Sequence, residues 1–226
     1  MSELATALAP EMVGLVVTPA VLIACLVVLG TPRPIGKLAL FAAVYLSVYA
    51  VLSLVVVVIG HVAGIEGHSA SVIRGWISLT VGVLFLVGGA IAWRGATRPR
   101  PGARSSQPAP GWAGGLADPH PRLLVLTALA LAVINPNVAI LLSGLGIIVT
   151  ADVSVGAQLV GVGLMLAACL VDFAVPALVY AVGGPAGRGR LQAASRWMVL
   201  HNQAIGVGVL VFFGLLFAGR GIAQIA

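Results

Sequence analysis

Charge is scarce in this chain. Only 8% of its 226 residues are Asp, Glu, Lys or Arg, against 60% hydrophobic residues, and the mean hydropathy is +1.14. A water-soluble core of this length could not bury so much apolar side chain, so the composition excludes a soluble globular protein and indicates an integral membrane one. Acidic residues are scarcest, six against twelve basic, for a formal charge of +6. The excess does not point to nucleic acid, because the basic residues sit almost entirely in short loops, where they set membrane topology. Lysine is nearly absent: Lys37 stands beside eleven arginines, a bias that, with the abundant Ala, Gly and Val, fits a GC-rich bacterial genome. The two cysteines, Cys25 and Cys169, fall inside apolar runs and read as small hydrophobes rather than a disulfide. Met1 to Pro10 carries no basic residue, so no cleaved signal peptide is expected. No Gly-rich phosphate loop, paired carboxylates or nucleophile-base constellation occurs, so the reading contains no enzyme, catalytic residue or cofactor. His61, Glu66 and His68 lack helical metal-ligand spacing, and no metal site is expected.

What is present is a set of long apolar runs. A bilayer core about 30 Å thick requires about 20 apolar helical residues. Six segments approach or meet that requirement: Met12–Gly30, Leu38–Gly60, Val72–Trp93, Leu123–Thr150, Val153–Gly183 and Trp197–Ala218. Between the third and fourth lies Arg94 to Pro121, rich in Pro, Gly and Ser and without periodicity, which reads as a flexible cytoplasmic linker. The expected organisation is a first three-helix repeat over residues 1–93, the linker over 94–121, and a second three-helix repeat over 122–226. Arg33, Lys37, Arg94, Arg98, Arg100, Arg104, Arg122, Arg188, Arg190 and Arg196 all fall on one side. Only Arg74 and Arg220 fall on the other, with Glu3, Glu11, Glu66 and Asp152. The positive-inside rule then places both termini outside, with Trp76, Trp93 and Trp197 as interfacial anchors.

Three spans per half require any repeat to be inverted in the membrane. Three weak matches recur in the same order: Thr18-Pro19 with Asn135-Pro136, Val48–Gly60 with Val171–Gly183, and Val81–Gly95 with Val207–Gly221. The fold expected is therefore all-α, six transmembrane helices arranged as two inverted repeats.

Within this apolar frame a few polar or broken positions stand out. Pro19 and Pro136 sit mid-helix in the first span of each half, and an unpaired backbone group in hydrocarbon costs several kcal/mol. Paired interruptions of this kind point to a transport site. The run from Leu123 to Thr150 would measure about 42 Å as unbroken helix, a surplus that permits unwinding around Asn135-Pro136-Asn137. Asp172 is the one acid well inside a span, where insertion costs about 2.5 to 3.5 kcal/mol, and Pro176 is expected to interrupt the same helix. The candidate transport path is thus Thr18, Pro19, Asn135, Pro136, Asn137, Asp172 and Pro176. At the start of the sixth span, Arg196, His201 and Asn202 are candidates for gating or headgroup contact. The alternative for the amides is interhelical glue, and for Asp172 a neutral hydrogen-bonded structural role. Glycines 82, 88, 208 and 214 read as close-packing positions.

The stretch Thr18 to Pro34 ("TPAVLIACLVVLGTPRP"), "INPN" at Ile134 to Asn137, the Pro176 helix, and "RWMVLHN" at Arg196 to Asn202 followed by a Gly-rich helix ending at Gly221 together resemble the GAP family. These are glycolipid or sulfolipid addressing proteins of the lysine-exporter (LysE) superfamily. The resemblance covers nearly the whole chain apart from the linker. It implies a plasma-membrane protein that assists export of a lipid or glycolipid to the cell envelope, with a lipid synthase or larger lipid transporter as partner. Homo-oligomerisation stays open. By position, Pro19 and Asn135-Pro136 correspond to the superfamily's broken central helices, although Thr18 stands where Asn would be expected. Two other functions stay open on the residues alone: a proton-coupled exporter of amino acids or cations, motivated by Asp172, and a non-transporting assembly subunit that docks through the linker.

Overall fold

The computed structural model describes residues 2–16, 18–62, 68–97 and 120–225. Eight helices account for almost all of them, and no strand occurs among the described residues. They are α1 (Ser2–Val16), α2 (Pro19–Leu29), α3 (Pro34–Val62), α4 (His68–Thr97), α5 (Pro121–Ile134), α6 (Asn137–Thr150), α7 (Val155–Val182) and α8 (Gly184–Ile225). Prolines mark several starts, as their fixed φ and missing N–H suit the first helical position: Pro19 opens α2, Pro34 α3 and Pro121 α5. Ser154 caps α7 by accepting the Ala157 N–H at 3.3 Å. The expected linker falls outside the described residues from 98 to 119, as does Glu66.

Among the described residues, three helices are long and apolar enough to cross a membrane, Pro34–His61, Val155–Val182 and Gln203–Ile225. The count rises to five if each of the bent pairs α1–α2 (47°) and α5–α6 (57°) is one span. The third expected span is represented by α4, whose apolar part runs Ser78–Arg94. Large apolar side chains face outward along these helices, among them Val51, Leu84, Ile91, Leu178 and Phe212. Such a collar in water would be an aggregation surface, whereas in lipid it is the solvent-facing side.

The two bends follow from local chemistry. A residue before proline is driven out of the α region, and Thr18 (φ −112°, ψ 94°) and Asn135 (φ −70°, ψ 138°) are both extended. An extended residue before the proline at each junction is sufficient to change the axis.

Three expectations are corrected. The first helix starts at Ser2, not near Met12, so Glu11 lies inside it. Pro176 does not interrupt its helix: α7 continues through it from Val155 to Val182, leaving the Asp172 carbonyl four residues earlier without its helical donor. The loop expected between the fifth and sixth spans, where Arg188, Arg190 and Arg196 lie, is absent, because α8 is helical for 42 residues from Gly184. At 1.5 Å per residue it is about 63 Å long, twice a bilayer core, so its basic first part lies beyond the apolar Gln203–Ile225 stretch. The reversal from α7 needs Gly184 at φ +52°, a left-handed conformation in which any side chain is strained.

Packing pairs the helices in a repeated pattern. α1 lies against α7 as α5 lies against α3, α2 against α7 as α6 against α3, and α4 runs along α8. Small residues allow that last approach: a Cβ on Gly82 would strike the Gly214 carbonyl at 2.8 Å, and one on Gly221 the Leu79 nitrogen at 2.6 Å. Of the four glycines expected to close-pack, Gly82 and Gly214 do so, while Gly88 makes only ordinary contact and Gly208 faces open space.

Candidate functional site

The two breaks meet. The Asn137 amide nitrogen Nδ2 donates to the Thr18 hydroxyl, joining positions 119 apart in sequence. Thr18 in turn donates to the Leu15 carbonyl at 3.0 Å, the acceptor that Pro19, four residues on, leaves without a helical donor. On the other side, Asn135 Oδ1 accepts the Asn137 backbone N–H at 3.2 Å, closing an Asx turn over Pro136 and satisfying one of the first amides of α6. Thr18, Asn135 and Asn137 are all buried. The breaks are thus linked and partly self-satisfied, but Asn135 Nδ2 has no partner.

Asp172 completes the cluster from α7. It is 3% exposed, lies against the Thr18 hydroxyl, and leaves its Oδ1 without a hydrogen bond. A spare donor on Asn135 and a spare acceptor on Asp172 therefore occur in one apolar interior, where unpaired polar groups are costly. The Cys25 and Cys169 thiols and the Tyr45 and Tyr49 phenols lie within electrostatic reach of Asp172. Tyr45 donates to Tyr49 at 2.7 Å; four residues further along the same face of α3, Ser53 Oγ is buried and unpaired. Both cysteines are free and buried.

Two apolar grooves flank the cluster. One, about 540 Å³, is lined by Val48, Val51, Leu52 and Val55 of α3 with Ala132 and Val133 of α5 and Val138 of α6. The other, about 420 Å³, is lined by Met12, Val13 and Val16 of α1 with Ala167, Ala168 and Val171 of α7. Each lies beside one bent pair.

Toward the α2–α3 turn the bundle opens into a cavity of about 450 Å³ lined by Leu26, Thr31, Tyr180, Arg188, Ser195 and Arg196, among others. Arg188 stands 4.8 Å over the Tyr180 ring, a cation–π contact, and Arg196 Nε donates to the Gln192 carbonyl at 3.4 Å. Of the three gating candidates, Arg196 lines this cavity. His201 is exposed, stacked on Trp197 at 4.7 Å, and Asn202 follows it on α8 with its side chain outside the described set. Of the path candidates, Thr18, Asn135, Asn137 and Asp172 are gathered together. Pro19 and Pro136 shape the breaks, and Pro176 is buried on α7 without breaking it.

One pair of residues escaped the sequence reading. Glu11, fully buried, forms an ion pair with Arg220 of α8. Both were assigned to loops because the apolar runs were bounded at Met12 and Ala218. The available signal was an acid and a base one turn or less beyond those bounds at the same expected depth, able to enter together only as a pair.

An all-helical membrane protein with linked, broken helices around a buried polar cluster is the class these features define. Residues 11–223 match the family described as Sap, sulfolipid-1-addressing protein, and the chain belongs to that family. No curated protein and no solved structure gives a significant match.

Proposed function

We propose that the protein is a multi-pass plasma-membrane transporter of six spans, built as two inverted three-helix repeats with both termini outside, that assists outward movement of a lipid or glycolipid. The family's description as sulfolipid-addressing proteins agrees with that role, and membership of the lysine-exporter superfamily is part of the same proposal. The observation that carries it is the pairing of one buried polar cluster with two apolar grooves, each beside a proline break. An amphipath needs both: dry apolar surface for its tail and a few fixed polar groups for its head. The repeat alignment relates the grooves as well. It sets Val48 opposite Val171 and, through Thr18 with Asn135, Val16 opposite Val133. The reciprocal packing of α1 on α7 and α5 on α3 supports it further.

In this reading Asn135 supplies the free donor, Thr18 and Asn137 hold the two breaks together, and Arg188 and Arg196 receive the headgroup at the cytoplasmic mouth. The chain is not an enzyme, and its partners are a membrane lipid or glycolipid and a lipid synthase or larger transporter that delivers it. The test is lipid analysis of inner and outer envelope fractions from a deletion strain carrying wild type or Asn135→Leu. Wild type should restore the missing lipid to the outer fraction and Asn135→Leu should not. Normal export by a folded Asn135→Leu protein, or liposome transport of amino acids but no lipid, would sink the proposal.

Asp172 favours a second reading, proton-coupled export of amino acids or cations, because its unpaired Oδ1 is the one intramembrane carboxyl oxygen at the polar cluster. A fully active, pH-independent Asp172→Asn protein would remove its support.

A further inference from the structure

We infer that Glu11 is a proton-binding group whose charged form latches α1 of the first half to α8 of the second at the end predicted to lie outside, and that taking up a proton releases that latch. This does not depend on which molecule is exported. It concerns the end of the bundle opposite the Arg188–Arg196 cavity.

Four helices meet there. α1 contributes Glu11, α8 Arg220, α6 Ser143 and α4 Ser78. Glu11 Oε1 accepts from an Arg220 guanidinium nitrogen and from the Ser143 hydroxyl at 3.4 Å. α1 belongs to the first three-helix set and α6 and α8 to the second, so every one of these bonds crosses between the sets. Arg220 is the one charged side chain acting on Glu11 among the described residues. α6 and α4 present serines, α7 presents the neutral Met165 near Glu11 through Gly144, and Glu3 on α1 is exposed. The Asp172 carboxyl of α7 belongs to the cluster with Thr18, two turns further along.

The pair is incompletely satisfied in a particular way. Glu11 Oε2 and Gln224 Oε1 are both buried acceptors without a donor. Gln224 lines a cavity of about 130 Å³ together with Ala7, Ser78, Ile147 and both hydrogen-bond partners of Glu11, Ser143 and Arg220. Waters occupying about 30 Å³ each fit such a volume and bring a proton source up to the Ser143 and Arg220 side chains that hold Glu11. A carboxylate accepts only, while a carboxylic acid also donates one O–H, so protonation removes the charge that holds Arg220 and relieves Oε2 of being a buried, charged acceptor without a donor. The step is one proton from water added to the carboxylate, with no other bond made or broken. Arginine keeps its charge throughout. Its side chain, 32% exposed, then loses its counter-charge and can turn to water, leaving the weak Ser143 contact as the remaining bond from Glu11 across the halves.

The test is the distance between spin labels on exposed Glu3→Cys (α1) and Ala223→Cys (α8), in full-length protein in nanodiscs with Cys25 and Cys169 replaced by Ala. Acidification should add a longer-distance population, and the long-to-short ratio should change about tenfold per pH unit through the titration, as for one linked proton. Glu11→Gln should show the long population at every pH, and Arg220→Lys should retain the pH dependence. Should Glu11→Gln not fold, Arg220→Gln breaks the same pair from the other side and should be open at neutral pH. Distances that ignore pH in the parent, or a foldable Glu11→Gln or Arg220→Gln that stays closed at neutral pH, would overturn the inference.

Discussion

The two proline breaks make the same backbone feature with different chemistry. At Thr18-Pro19 and at Asn135-Pro136 a pre-proline residue is extended and the helix axis turns by 47° or 57°. At the first break the side chain is fully occupied: Thr18 donates to Leu15, accepts from Asn137 and touches Asp172. At the second, Asn135 uses its oxygen on the Asn137 N–H and keeps a free Nδ2. Proline dictates the bend in both, and the neighbouring side chain decides whether the bend is closed on itself or left with something to offer a cargo. The first break is a strut and the second a candidate contact.

That contrast can be broken from either side. The largest expected loss of stability comes from Thr18→Val, which keeps the shape but removes the Leu15 donor and the Asn137 acceptor; two buried groups left unpaired predict a loss of about 2 to 4 kcal/mol in unfolding from mild detergent. Asn137→Ala removes one interhelical bond and leaves a hydroxyl that still satisfies Leu15, for a loss of about 1 kcal/mol by the same assay. Asn135→Thr gives the second break the chemistry of the first. A hydroxyl can replace the Asx turn, so stability should fall by less than about 1 kcal/mol, while lipid export is lost because the free amide is gone. Retained export in Asn135→Thr would dissolve the distinction between strut and contact. Thr18→Ser keeps every hydrogen bond and should change neither measurement by more than about 0.5 kcal/mol.

Much of this was legible in the chain. Runs of apolar residue, the proline pair and the overlong stretch from Leu123 to Thr150 led directly to helices with breaks at Thr18-Pro19 and Asn135-Pro136, because φ restriction and missing donors are local properties. Pro176 misled, since a proline can be carried within a helix when surrounding packing holds it, and α7 is held by α1, α2 and α3. The fifth loop misled because a charged, glycine-containing segment from Gly184 to Arg196 has no apolar periodicity, although helical geometry continues through it from α8. Glu11 was missed because hydropathy reads one residue at a time, and an acid beside an apolar run looks like its boundary unless its partner, 209 residues away, is known to meet it.

Composition by itself determined that the protein lives in a membrane, and proline positions determined where its helices break, because both depend on solvation and on dihedral angles within a few residues. Only the tertiary structure decided that the breaks touch each other, that Asn135 is left with a free donor while Thr18 is not, and that Glu11 and Arg220 enter the bundle as a pair. Those outcomes depend on which polar groups are brought within about 3 Å of one another, a distance set by the packing of helices that are remote in sequence.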